Sequence, residues 1–198
     1  MKFCVNALAV TLLLSAPAVI RAELVFTPAS DFSGDVRVTQ TPLGDWVNIL
    51  VEYQVSTNVG TLGGGFRPLD GAVFNQGEGQ LDTTFLLPPN AIILPPVADT
   101  AEELSVSAAT VFLGNLAEAG EHTPLAQLVL APGTTAEMFG PGADSVPGLQ
   151  LANSGGVIGA ITGSVTAVPE PSAMAGVGLA LLGWVGVRYR RRRRLALA

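Results

Sequence analysis

The stretch Trp46-Val-Asn-Ile-Leu-Val-Glu-Tyr-Gln-Val-Ser56 decides the fold. Val47, Ile49, Val51, Tyr53 and Val55 fall on one side of a two-residue repeat, Asn48, Glu52 and Gln54 on the other, and only Leu50 breaks the alternation. Successive side chains of a strand point to opposite faces, so this pattern predicts a strand with one buried and one wetted face. Just upstream, Val36-Arg-Val-Thr39 carries the same signal, and the turn-forming Thr41-Pro-Leu-Gly-Asp45 between the two predicts a hairpin.

Outward from that hairpin, the segment 23–167 shows many short apolar runs separated by Gly, Pro, Asn and Asp, with β-branched residues prominent. Such spacing predicts an all-β domain, a single β-sandwich of jelly-roll or Greek-key type. Ala72 to Phe74, Thr83 to Leu87, Leu125 to Leu130 and Val157 to Val165 read as further strands. Gly63-Gly64-Gly65 reads as a turn, since its spacing is not that of a dinucleotide loop. Pro88-Pro89 and Pro95-Pro96 bracket Ala91 to Leu94, so a strand there is short or at a sheet edge. Asp99-Thr-Ala-Glu102 has the form of a helix start, with Leu104, Ala108, Val111 and Phe112 at helical spacing, but the same stretch also reads as strand through Leu104, Val106 and Thr110 to Leu113; whether Ala91 to Leu113 contains a helix stays open, a short helical turn followed by a strand being favoured. Ala131 to Gly156, rich in Pro and Gly, reads as a long surface connection.

Charge divides the chain more sharply than composition does. All 16 acidic residues lie between Glu23 and Glu170, whereas eight of the ten basic ones lie outside that span. From Glu23 to Val168 there are 15 acids against 2 bases, Arg37 and Arg67, a formal charge of −13 hidden within the whole-chain value of −6. Phosphate backbones are bound through clustered Lys and Arg, so nucleic acid is excluded as a partner. The single cysteine, Cys4, and the single lysine, Lys2, both sit at the extreme N-terminus. The body therefore has no disulfide, thiol nucleophile, Cys-bound zinc or Schiff-base lysine.

Few residues in the body suggest chemistry. His122 is the sole imidazole and reads as an exposed loop residue, because triads and two-histidine metal sites need partners the chain lacks. Glu102 and Glu103 read as charges at a helix start. Calcium is the one cofactor left open, through Asp31-Phe-Ser-Gly-Asp35 and Gly77-Glu-Gly-Gln-Leu-Asp82, although neither matches the EF-hand loop and both read first as solvated loop charge. The aromatics Phe32, Trp46, Tyr53, Phe66, Phe74 and Phe85 lie mostly on strand patterns, where core packing is the commoner use than stacking on sugars. These observations predict a protein that is not an enzyme; a secreted hydrolase is the least favoured reading.

The N-terminal residues 1–22 have the parts of a secretory signal peptide: Lys2 as the positive end, Phe3 to Leu14 as the apolar core, and small residues beyond. Cleavage is expected after Ala22, ahead of Glu23, where the acidic body begins; Ala16-Pro-Ala18 is the other small-residue site. Cys4 precedes the apolar run and so cannot become a lipidated N-terminus. Signal peptidase is the implied partner.

The C-terminal residues 168–198 have three parts in order. Val168-Pro169-Glu170-Pro171 comes first, then sixteen uncharged residues from Ser172 to Val187, then Arg188-Tyr-Arg190-Arg191-Arg192-Arg193-Arg194. A helix of that span is about 24 Å long against roughly 30 Å of hydrocarbon, a short transmembrane helix that Trp184, Tyr189 and the arginines can extend by seating at the interface. The arginines place this end in the cytoplasm and hence the body in the periplasm. Together the three parts resemble the PEP-CTERM sorting signal of Gram-negative bacteria, a tail that also carries the label ice-binding protein C-terminal domain. No regular threonine array for binding ice is present in the body. The resemblance implies recognition by exosortase, a membrane cysteine transpeptidase. It would cut near Pro169-Glu170-Pro171 and pass the body from the inner membrane to the cell surface or extracellular matrix, in company with exopolysaccharide. The function expected is thus an exported, non-enzymatic surface or matrix protein; the alternative is a carbohydrate-binding or adhesion module, calcium-stabilised in one version.

Overall fold

Eleven strands are found among residues 22–110, 115–141 and 148–168, which the computed structural model describes. The larger of two antiparallel sheets holds β1 (Ala22–Pro28), β4 (Thr61–Pro68), β6 (Ala91–Asp99), β7 (Leu104–Thr110), β9 (Thr135–Phe139), β10 (Leu149–Asn153) and β11 (Gly156–Thr166). The smaller holds β2 (Gly34–Leu43), β3 (Trp46–Val55), β5 (Thr84–Phe85) and β8 (Thr123–Leu130), in the order β2-β3-β8-β5. Across the larger sheet the order is β1-β11-β10-β4-β7-β6, with β9 pairing both β11 and β4. The described residues belong to one compact unit, the all-β sandwich that the alternation predicts.

Along β3 burial alternates without a break, Val47, Ile49, Val51, Tyr53 and Val55 being at most 1% exposed. Each such side chain contributes about 1.5–3 kcal/mol of transfer free energy. They join Leu125, Leu128 and Leu130 of β8, together with Leu62, Phe66, Leu104, Val106, Leu149, Leu151 and Ile161 of the other sheet, in a single apolar cluster. Phe66 and Phe85 tie the two sheets directly, their ring centroids 6.2 Å apart. The β2–β3 hairpin forms as expected, but its strands run further. Leu43 pairs with Trp46, so the turn is only Gly44-Asp45, and Gly44 at φ 66° fills the first central place where a type II′ turn favours glycine.

Five expectations are corrected. Gly63 to Gly65 is no turn; it is the buried middle of β4, where backbone from three neighbouring strands crowds in. Ala72 to Phe74 is irregular: Phe74 is buried, but its N–H donates to the Ala101 carbonyl and that of Asn75 to the Val129 carbonyl, outside any strand ladder. Of Thr83 to Leu87 only Thr84–Phe85 is strand. Asp99 to Glu102 starts no helix. Thr100 Oγ1 accepts from the N–H groups of Glu102 and Glu103, and the Thr100 N–H donates to the Glu103 carbonyl, which closes a β6–β7 hairpin. The same side-chain oxygen that caps helices also caps turns.

Ala131 to Gly156 likewise departs from a bare connection, since β9 and β10 lie within it. β6 is the edge strand its prolines suggest, and its pairing with β7 shifts register between Leu94 and Ala98, across Pro95-Pro96. Among the described residues no helix is long and apolar enough to cross a membrane. The expected transmembrane helix 172–187 and residues 1–21 of the expected signal peptide 1–22 lie outside the described residues, Ala22 being the first residue of β1.

Tyr53 yields a first prediction. Burial pushes its phenol well above the ordinary value near 10. Between Glu23 and Val168 there is no lysine or cysteine and no second tyrosine, so Tyr53 is the body's one side chain titrating in the alkaline window. A raised folded-state pKa means that the stabilisation is complete below about pH 10 and is lost as pH rises beyond it, by about 1.4 kcal/mol per unit. Urea melts between about pH 9 and 11.5 should show this slope, and Tyr53→Phe should flatten it.

Candidate functional site

The two junctions expected to be processed emerge at one end of the sandwich. β1 runs antiparallel to β11 with Ala22 opposite Val165 and Glu23 opposite Ser164, so the strand that opens the fold begins beside the strand that closes it. Glu23 is exposed and Val168, the last described residue, is half-buried.

The chain is held tightly up to that last residue. Gln40 of β2 reaches across from the smaller sheet: its Nε2 donates to the Thr166 carbonyl at 2.9 Å, and its Oε1 accepts from the Val168 N–H at 2.9 Å. In an extended chain the C=O of residue i and the N–H of residue i+2 point the same way. The Gln40 carboxamide, both donor and acceptor, therefore takes the place of a peptide group on a neighbouring strand. On the other side, Ala167 donates to the Thr134 carbonyl at 2.8 Å and accepts from the Gly133 N–H at 2.7 Å. The Thr135 and Thr166 hydroxyls bond each other at 2.8 Å, and Ala167 is fully buried. Sequence reasoning did not find Gln40; a glutamine between two threonines on a strand gives no signal, and its partners lie more than a hundred residues away. Of the remaining motif and tail positions, Pro169, Glu170, Pro171, Ser172, Trp184, Val187, Arg188 and Arg190 to Arg194 lie outside the described residues.

The other candidate residues do not converge. His122 is exposed in a loop. Among the described residues no group of three or more His, Cys, Asp or Glu is placed to share a metal ion. Asp31 and Asp35 are exposed at the start of β2. The loop around Gly79–Leu81, one turn of 3-10 helix, is fastened by protein donors. Gln127 Nε2 bonds the carbonyls of Gly79 and Asp82, and Asn48 Nδ2 bonds that of Gln80, oxygens that a calcium ion would otherwise draw on. Tyr53, Phe66 and Phe74 are core residues, and Phe32 and Phe85 pack against the core.

Two of the clefts are lined by none of the residues at the end where the two junctions emerge, the base of the sandwich. One, of about 300 Å³, lies between β5 and the β6–β7 hairpin; Phe85, Leu87, Ile93, Val97 and Val106 line it, with Asp99 at its edge. Partial burial first, and the charge of Asp82 second, raise the Asp99 pKa against the opposing effect of its bond with Gln76. The second, of about 710 Å³, lies at the end opposite the base and is uncharged, lined by Ser56, Asn58, Thr61, Asn115, Asn153 and Ser154 among others.

With this geometry in place, the comparisons bear on the base. Residues 167–193 match the family described as the PEP-CTERM protein-sorting motif. The match begins at Ala167, inside the hydrogen-bonded end of the fold, and continues through the tail. The chain thus carries the signal of an exported protein that is processed by exosortase and reaches the cell surface. Comparison with curated proteins gives no match.

Proposed function

We propose that this chain is a non-enzymatic surface or matrix protein whose acidic sandwich is the delivered product and whose tail is a handle removed on the way. Signal peptidase frees Glu23, the segment 172–187 holds the body in the periplasm with the arginines in the cytoplasm, and exosortase severs the chain near Pro169-Glu170-Pro171. The product would associate with exopolysaccharide. The observation that carries this reading is the sorting-motif match at 167–193, abutting a fold that is hydrogen-bonded through Val168. A charge of −13 on the body supports a soluble, self-repelling product. Mass spectrometry of the protein from its own cells tests the proposal: the expected product begins at Glu23 and ends near Pro169 to Pro171. Retention of Arg188 to Arg194 on the mature protein would overturn it.

A second reading, a carbohydrate-binding or adhesion module, is favoured by the uncharged cleft opposite the base. Asn58 Oδ1 accepts from the Ala119 N–H and Asn153 Oδ1 from the Gly155 N–H, which leaves their amide N–H groups as donors beside the Ser56 and Ser154 hydroxyls. Such groups suit neutral sugar hydroxyls. A glycan array probed with the purified body decides: hits lost on Asn153→Ala favour this reading, and an array without hits removes it.

A further inference from the structure

We propose that Gln40 is a positioning residue for tail removal: its carboxamide fixes the upstream boundary of the processing site by withholding Thr166 to Val168 from the enzyme. The proposal rests on the sorting reading and adds to it a residue of the folded body. An enzyme that cuts a peptide in extended form commonly engages backbone N–H and C=O groups, as an added strand does. Here the Thr166 C=O and Val168 N–H are taken by Gln40, and the Ala167 N–H and C=O by Thr134 and Gly133. Both edges of the segment are occupied, so the folded body withholds the backbone of Thr166 to Val168 from an enzyme. The Thr134 and Gly133 bonds come from the loop before β9 in the same sheet, whereas the Gln40 bonds come from the opposite sheet. Among the described residues Gln40 is thus the one side-chain latch that ties the segment after β11 to the smaller sheet, and its release uncovers one backbone edge of Thr166 to Val168 for an enzyme.

Three measurements on the full chain test the latch. Hydrogen exchange of the purified, detergent-solubilised protein should show a protected Val168 amide, exchanging at least about tenfold faster in Gln40→Leu, which loses both bonds, with Gln40→Glu in between because it keeps only the acceptor. A protease that cleaves after small aliphatic residues should spare Ala167–Val168 in the wild type and cut it in Gln40→Leu. In cells, Gln40→Leu should lose its tail several-fold faster, with some products ending upstream of Val168. If Gln40→Leu does not fold, inserting six Gly and Ser residues between Val168 and Pro169 leaves the latch intact and moves the motif clear of it; tail removal should then accelerate to a similar degree. Equal or slower tail removal in Gln40→Leu, or no acceleration by the insertion, overturns the proposal even where exchange responds. A wild-type tail that is never removed sinks the sorting reading instead, while exchange and digestion still decide whether the latch exists.

Discussion

Gly64→Ala should destabilise the body by about 3–5 kcal/mol, while Gly63→Ala, one residue away, should change it by less than about 1 kcal/mol. The difference comes from a seam in the larger sheet. β10 pairs with β4 at Thr61 to Gly63, and β9 pairs with the same edge of β4 at Gly65 to Pro68. The two short strands therefore lie end to end between β4 and β11, and Gly64 sits at their junction. Its φ of 130° is a conformation essentially reserved for glycine. A Cβ there would run into the Phe139 carbonyl, where β9 ends, and come within 2.9 Å of the Leu149 Cα, where β10 begins. Both obstacles are backbone and cannot swing aside. A Cβ on Gly63, by contrast, meets only Pro141 side-chain carbons, at 3.4 and 3.5 Å, and its backbone is unstrained. Urea denaturation of the two variants checks the contrast. For a domain of 5–15 kcal/mol total stability, the Gly64 loss is large enough to lower expression as well. Equal effects at the two positions would show that the seam is not the constraint.

The same glycines show where sequence reading stops. A run of glycine signals that backbone is either turning or being closely approached, and the residues themselves do not say which. Deciding needs the neighbours, and here these are Phe139 and Leu149, far along the chain in a stretch whose prolines and glycines read as a connection. β9 and β10 are five residues each, too few periods for alternation to show, although Ala136, Met138, Leu149 and Leu151 are buried on the two-residue repeat. Longer strands were legible: β3, with one buried face, and β8 and β11, buried over consecutive residues, all lie where the apolar runs place them. Between the helix and strand readings left open after Asp99, the structure takes the strand, and the helical turn gives way for a physical reason. An oxygen that accepts from the next two or three N–H groups serves a tight turn as well as a helix cap, and Thr100 rather than Asp99 supplies it.

The sorting signal and the Gln40 latch stand at opposite poles of legibility. The signal is linear, three parts in fixed order within thirty residues, and can be read without a fold. The latch is made of a side chain on β2 and a backbone segment after β11, 126 and 128 residues away. It exists only because the sandwich brings an edge of one sheet over the end of the other. What a linear signal leaves out is how much of it the folded body already occupies.

Glu170→Ala should leave the arginine tail on nearly every molecule in cells that process the wild type. Pro169 and Pro171 have φ fixed near −65° and no N–H to donate, and a residue before proline is driven to extended backbone. Two prolines in a three-residue motif thus leave an enzyme few backbone N–H groups to recognise. Glu170 carries the only charge between Asp144 and Arg188, and is the one ionic handle in reach. A hydrogen bond to a charged group contributes about 1.5–3 kcal/mol, so its loss lowers recognition roughly 10- to 150-fold, enough for export to outrun cutting. The readout is charge as well as mass. A wild-type product spanning Glu23 to Val168 carries −13, whereas an uncut Glu170→Ala chain from residue 23 carries 15 acids against 8 bases, a charge of −7. Anion exchange separates the two, and mass spectrometry then reads the C-terminus. Glu170→Gln keeps the shape and removes the charge, so it should behave like the alanine variant if the carboxylate is what is read. Tail removal at the wild-type rate in both variants would mean that the enzyme reads the prolines or the span rather than Glu170.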